Sequence, residues 1–204
     1  LNLMSRSPLD PAAYDVEPRE SVAEACRGGW VSFEGGLSEI GAEDRGFAFD
    51  NERPRHRAFL EPFRLADRLT TNGEWLGFIE DGGYERAEFW LSDGWTMVQA
   101  EGWRAPLYWR QDKDGAWGEF GLAGLRPLDL DAPVAHVSYY EATAFAAWAG
   151  ARLPTEVEWE VAARSEHRLR QMSGELWQWT ASAYAPYPGF RPGAGALGEY
   201  NGKF

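Results

Sequence analysis

Arg152-Leu153-Pro154-Thr155-Glu156-Val157-Glu158-Trp159-Glu160 is the stretch on which the reading of the fold turns. Thr155 and Glu158 form a capping box, in which a threonine hydroxyl and a glutamate three residues on each satisfy an orphan amide of the other. Pro154 leads the chain into that cap, and Val157 and Val161 fall four apart, on one side of the predicted helix. The pattern describes a short helix whose start is set by local side chains.

The same device recurs upstream. Ser138-Tyr139-Tyr140-Glu141 opens a helix that runs through Phe145 and Trp148 to a terminating Gly150. Thr71-Asn72-Gly73-Glu74 opens another, with Trp75, Phe78 and Ile79 at helical spacing and Gly82-Gly83 as its stop. Before these, Trp30-Val31-Ser32-Phe33 reads as a strand ending at the turn signal Gly35-Gly36. Residues 56–65 read as extended, with Pro62 restricting them to an edge or bent strand. Residues 90–133 are turn-rich, with Trp90, Trp95, Trp103, Trp109 and Trp117 along them, and the chain is irregular again after Arg164. Residues 1–28, with three prolines and little periodicity, read as a linker or tail, leaving 29–204 as one domain.

Composition agrees with a loop-rich globule. Eleven Trp, eleven Phe and eight Tyr stand beside 23 Gly and 12 Pro among 204 residues. Gly and Pro at this density interrupt long periodic elements, and large rings can pin irregular backbone by burying about 150–250 Å² each. The 32 acidic residues outnumber the 20 basic ones, for a formal net charge of −12. A field of that sign repels phosphate backbones and anionic membrane surfaces, so neither a nucleic acid nor a membrane is an expected partner. No apolar run approaches the ~20 residues of a spanning helix. The single cysteine, Cys26, rules out an internal disulfide framework, and with the lack of a signal peptide it makes a cytoplasmic location the expectation.

Motifs for familiar chemistries are few. The three histidines, His56, His136 and His167, have no ligand spacing between them, so packing or surface positions are expected for them and no metal ligand is assigned. Segment 39–50, with Glu43, Asp44 and Asp50, is acidic enough to suggest calcium, yet departs from the EF-hand ladder; a solvated loop is the expectation, with calcium as the candidate ion. There is no nucleophile elbow and no glycine-rich phosphate loop. Rings near the end of the chain remain: Trp177-Gln178-Trp179-Thr180, then Tyr184, Tyr187 and Phe190 among Gly and Pro turns. Such rings can wall a pocket for an organic cation, and a phenol among them can supply a proton. Core packing is the competing account of them.

Trp177-Gln178-Trp179-Thr180 after Met172-Ser173-Gly174-Glu175, and Arg152 to Glu160 after Pro133-Val134-Ala135-His136-Val137-Ser138, resemble the signatures of the formylglycine-generating, or sulfatase-modifying factor, superfamily. The resemblance implies an α+β, C-type-lectin-like fold poor in regular structure. Further motifs narrow it: Gly46-Phe47-Ala48-Phe49-Asp50-Asn51-Glu52, Asp81-Gly82-Gly83-Tyr84, Trp90-Leu91-Ser92-Asp93-Gly94-Trp95 and Ala105-Pro106-Leu107-Tyr108-Trp109. Pro186-Tyr187-Pro188-Gly189-Phe190 and Gly198-Glu199-Tyr200-Asn201-Gly202-Lys203-Phe204 complete the set. Over roughly 29–204 the chain is similar to the C-terminal domain of ergothioneine-biosynthesis sulfoxide synthases, also called hercynine oxygenases.

That likeness implies an oxidoreductase that joins trimethylhistidine to γ-glutamylcysteine or cysteine, with O₂ and a non-haem Fe(II). It implies iron ligands outside this segment, on three histidines of a DinB-like helical domain in the same or another chain. By the same likeness Tyr184, Tyr187, Trp179 and Tyr200 are expected nearest the substrate pocket, Tyr187 and Tyr184 as catalytic residues, with Tyr187 the phenol near the sulfur and oxygen chemistry, and Trp179 and Tyr200 as substrate-binding ones. The departures are definite. No His-x-x-x-His element is present, Glu175 and Gln178 replace a common Asn and Glu, and the paired copper-binding cysteines of formylglycine-generating enzymes are absent. The family's closing strands do not follow Phe204, so the domain is expected to be incomplete at that end, a partial view of a longer enzyme. A non-catalytic binding module on the same fold is the alternative.

Overall fold

The computed structural model describes residues 28–164, 169–193 and 195. They are mixed α and β, with seven short strands and four short α-helices joined by many turns. Among the described residues two compact units are distinguished, one containing Leu69–Leu153 with Ser173–Trp179, the other 28–68, 154–164, 169–172, 180–193 and 195.

The second unit begins with four strands: β1 (Trp30–Phe33), β2 (Gly36–Ile40), β3 (His56–Leu60) and β4 (Phe63–Ala66). β1 pairs antiparallel with β4, and β2 with β3. Both ladders keep one register: Phe33 faces Phe63 and Gly36 faces Leu60, so three steps along one rim match three along the other. The extended stretch expected over 56–65 is thus two strands. Pro62 has no N–H to offer a ladder, and opposite the break Gly35 turns at φ +75°. A Cβ on Gly35 would sit 2.4 Å from the Leu60 carbonyl oxygen.

Gly82 has the same φ, +75°, with nothing within 4 Å of its virtual Cβ. The pair therefore separates conformational strain from collision. Gly82→Ala is expected to cost about 1–2 kcal/mol, the left-handed penalty alone, and Gly35→Ala clearly more. Urea denaturation of the two variants checks this; equal losses would show that the Leu60 carbonyl yields freely.

Helix α4 (Glu156–Arg164) closes this unit. Its capping box is present: the Thr155 N–H donates to Glu158 Oε2 at 2.8 Å and the Glu158 N–H to Thr155 Oγ1 at 3.2 Å. Val157 and Val161 pack, as their spacing predicts, on a core of Leu60, Phe63 and Ala162, where Phe33 and Phe63 stack with centroids 4.7 Å apart. On its other side α4 grips the end of β2. Glu160 accepts from the Gly41 N–H at 2.8 Å, and Arg164 donates to the Glu39 and Gly41 carbonyls and to Glu160.

The first unit holds α1 (Asn72–Glu80), α2 (Ser92–Glu101), β5 (Trp109–Gln111), β6 (Trp117–Gly121), β7 (Gly124–Pro127) and α3 (Tyr139–Trp148). α1 and α3 both start at the capping boxes seen in the sequence, on Thr71 and Ser138. The stretch read as turn-rich holds α2 and a three-stranded meander of β5, β6 and β7. α2 lacks the signal that marked the others, because its N-cap is Leu91 with no side-chain bond and Gly94 lies in its first turn. That glycine serves packing: a Cβ there would meet the Tyr140 side chain of α3 at 2.7 Å, with its ring at 2.8 Å.

Rings fill the core of this unit. Phe78 is fully buried, and its ring contacts Trp75, Tyr84, Phe89, Phe145 and Trp148. Trp75 stacks on Phe145 at 4.9 Å. The Asp81-Gly82-Gly83-Tyr84 motif folds back over them: the Gly83 N–H donates to Phe78 O at 2.9 Å and the Trp90 indole to Gly83 O at 2.8 Å. No helix among the described residues is long and apolar enough to cross a membrane.

At the centre of the meander, Glu119 faces Trp109 on one side and Arg126 on the other. Burial pushes its carboxyl above the ordinary range. A carboxyl raised in the folded state contributes stability that is complete below the unfolded value, about 4.3, and is lost as pH rises through the folded value. Glu119→Gln is therefore expected to raise the denaturation midpoint at pH 7 and to leave it unchanged below about pH 4. A midpoint unchanged at pH 7 would mean that solvent reaches the carboxylate.

Candidate functional site

The strongest grouping of chemical side chains lies in the second unit. The Tyr187 hydroxyl donates to Glu156 Oε1, in the first turn of α4, at 3.1 Å. Its ring sits on the imidazole of His56, at the start of β3, with centroids 4.6 Å apart. The loop that carries Tyr187 is short because the Phe190 N–H returns to Tyr187 O at 2.9 Å, with Gly189 at φ +82° making the bend. Two further bonds tie this end of the chain to the helix start: Ser182 Oγ accepts from the Glu156 N–H at 2.9 Å, and Pro154 O accepts from the Ala181 N–H at 2.7 Å.

Electrostatics decide the state of that phenol. Burial, then the charges of Glu156, Glu160 and Glu52, push Tyr187 well above the usual phenol range. It is a neutral O–H at any physiological pH, able to donate a hydrogen bond or a proton and not to act as a phenolate base. Tyr184, in contrast, is largely exposed, its oxygen accepting from Asn51 Nδ2 at 3.0 Å. Nearby, Phe47 and Phe49 meet edge to face at 5.3 Å and are both exposed.

Trp179 belongs to the first unit. Its indole donates to Val137 O at 3.0 Å, its ring meets Tyr139 at 5.9 Å, and half of it remains exposed. Trp177 is fully exposed, so core packing does not account for that ring. Tyr200 lies outside the described residues, as do Cys26 and His167. Of the expected tyrosines, Tyr184 and Tyr187 thus share one unit. Glu156 and His56 were not anticipated as neighbours of Tyr187; Glu156 is legible only as a helix residue, and His56 carries no spacing signal.

The other histidine, His136, holds φ +59° and sets its ring edge to face with Tyr108 at 4.7 Å. Burial pushes its imidazole below the ordinary range. The acidic segment 39–50 borders an open cleft of about 480 Å³ lined by Glu39, Glu43, Asp44, Pro54 and Arg55. There Arg55 holds Glu39 at 2.7 Å and Glu43 at 3.2 Å, so Glu43, one of the carboxylates named for calcium, faces a guanidinium. Among the described residues no group of three His, Cys, Asp or Glu side chains is placed to hold a metal ion.

The sulfatase-modifying factor enzyme 1-like domain family matches residues 17–168. The chain belongs to that family. It is 36% identical to a hercynine oxygenase of Mycobacterium tuberculosis over 195 aligned positions, which cover 75% of this chain and 45% of the relative. It is 34% identical to a formylglycine-generating enzyme of Streptomyces coelicolor, covering 76% of this chain and 52% of that protein. A third family member, an inactive Cα-formylglycine-generating enzyme 2 of Mus musculus, is 30% identical, covering 79% of this chain and 54% of its own. The chain thus spans less than half the length of the mycobacterial hercynine oxygenase and about half of the other two.

Proposed function

We propose that this chain is the substrate-pocket portion of a hercynine oxygenase, a sulfoxide synthase that forms the C–S bond between trimethylhistidine and γ-glutamylcysteine or cysteine. On this reading residues 29–204 are its lectin-like domain, 1–28 the preceding linker, and the cytoplasm its location. The observation that carries the reading is the neutral phenol of Tyr187 held between Glu156 and His56, in a chain similar to hercynine oxygenases of three mycobacterial species.

The described residues do not fit an iron ion, since they offer no three-ligand group. Fe(II) would be held by histidines of a DinB-like helical domain. This chain's contribution is then pocket wall and a proton. Tyr187 supplies an O–H whose proton Glu156 orients, and Tyr184 is the second catalytic candidate. The half-exposed ring of Trp179 offers a face for a trimethylammonium group, an attraction of about 0.5–2 kcal/mol per ring; Tyr200 is proposed as a further substrate-binding residue.

The test is to incubate the intact protein with Fe(II), O₂, trimethylhistidine and each thiol, and to look by mass spectrometry for the C–S-bonded sulfoxide. Product with either thiol supports the reading and identifies the thiol. A second reading, a non-catalytic module, draws on similarity to the inactive mouse protein. No product, with tryptophan fluorescence responding to another ligand independently of Fe(II), would establish it instead.

A further inference from the structure

Trp179 is held at two points that flank one residue. Its indole N–H bonds the carbonyl of Val137 and its ring meets Tyr139, while Ser138, between them, is the N-cap of α3. What fixes Ser138 is a buried chain of polar groups. The Ser138 N–H donates to Glu141 Oε2 at 2.7 Å, and the Glu141 N–H returns to Ser138 Oγ at 3.2 Å. The second oxygen of that carboxylate, Oε1, accepts from the Tyr84 hydroxyl at 2.7 Å, and the Tyr84 oxygen in turn is 3.4 Å from the Trp75 indole N–H. Glu141 and Tyr84 are only 5% exposed. An exposed capping box would need no such support; here the glutamate is sunk into the aromatic core and its outer oxygen is saturated by a phenol.

We infer that Tyr84 and Glu141 are positioning residues for Trp179. They act by fixing the backbone at Ser138 and, through it, the direction of the Val137 carbonyl and the seat of the Tyr139 ring. A buried carboxylate that loses one of its donors must find another or take up a proton. Either change loosens its hold on the Ser138 N–H, and the two supports of Trp179 shift together. The inference rests on the reading of Trp179 as a pocket residue for its functional meaning, but not for its geometry.

The experiment is amide-proton NMR on the intact protein labelled with ¹⁵N-tryptophan, the Trp179 and Trp148 indole signals being assigned from Trp179→Phe and Trp148→Phe. Trp148 is the control, because it lies on the same helix and its indole bonds Asp81 Oδ2 at 2.8 Å. In Tyr84→Phe the Trp179 indole N–H is expected to shift and to exchange with solvent about tenfold faster, with Trp148 within about twofold. Glu141→Gln, which keeps the shape but exchanges one acceptor oxygen for a donor, is expected to act in the same direction and serves if Tyr84→Phe does not fold. An unchanged Trp179 signal in a folded variant overturns the inference, as does equal acceleration at Trp148, which would mean general loosening of α3. If trimethylhistidine leaves the wild-type Trp179 signal unmoved, the pocket reading fails while the positioning stands.

Discussion

On the proposed function, replacing Tyr187 by Phe in the intact protein is expected to lower turnover of trimethylhistidine and thiol by about a hundredfold or more, the usual scale for losing a positioned proton donor. The substitution is narrow. The ring that packs on His56 at 4.6 Å stays, and only the O–H bonded to Glu156 is lost. Substrate affinity should therefore hold within about twofold, with the loss in kcat. Because burial and the surrounding carboxylates raise this phenol, the wild-type pH–rate profile should show no alkaline limb from it below about pH 10. A rate and a product ratio both unchanged in Tyr187→Phe would remove the residue from the chemistry. Tyr184→Phe, at an exposed site whose oxygen accepts from Asn51, is the contrasting variant.

Phe78→Ala should produce the largest loss of stability, about 3–5 kcal/mol for a buried phenylalanine. Phe78 is fully buried, and five other rings lean on it. Gly83→Ala should also be severe, because a Cβ there would lie 2.1 Å from the Phe78 ring, which has no free space to retreat into. Overpacking of this kind costs about 1–3 kcal/mol or more. The two losses should not add. Once the ring is gone the collision is gone, so Gly83→Ala on the Phe78→Ala background is expected to cost almost nothing, a coupling of at least about 1 kcal/mol. Guanidinium denaturation of the four proteins measures it. Additive losses would show that Gly83 is required for its backbone and not for the ring beneath it.

The sequence made some of this architecture legible and hid the rest for identifiable reasons. α1, α3 and α4 announce themselves because their starts are encoded in pairs of side chains three residues apart, beginning at Thr71, Ser138 and Thr155. α2 does not, since its start at Leu91 has no side-chain cap and its Gly94 is chosen by the Tyr140 ring of α3. Pro62 signals a defect in a strand but cannot say that the ladder resumes in register beyond it. The candidate site divides in the same way. A phenol among Gly and Pro turns at Tyr187 is visible locally, whereas its partners Glu156 and His56 come from other elements and are brought to it only by folding. Family motifs point to Tyr187 and Trp179 as residues of interest; they do not disclose that a carboxylate holds one and a helix cap the other.

The shared register of the β1–β4 and β2–β3 ladders constrains how this part of the gene product can change in length. A codon inserted into 34–35 alone would advance β2 by one position against β3. Ile40 would then turn outward and Glu39 inward, since strand side chains alternate with a period of two. An insertion matched by one in 61–62 would leave both ladders aligned and lengthen only the gap between them. Tolerated indels in this hairpin should accordingly come in pairs, one on each rim.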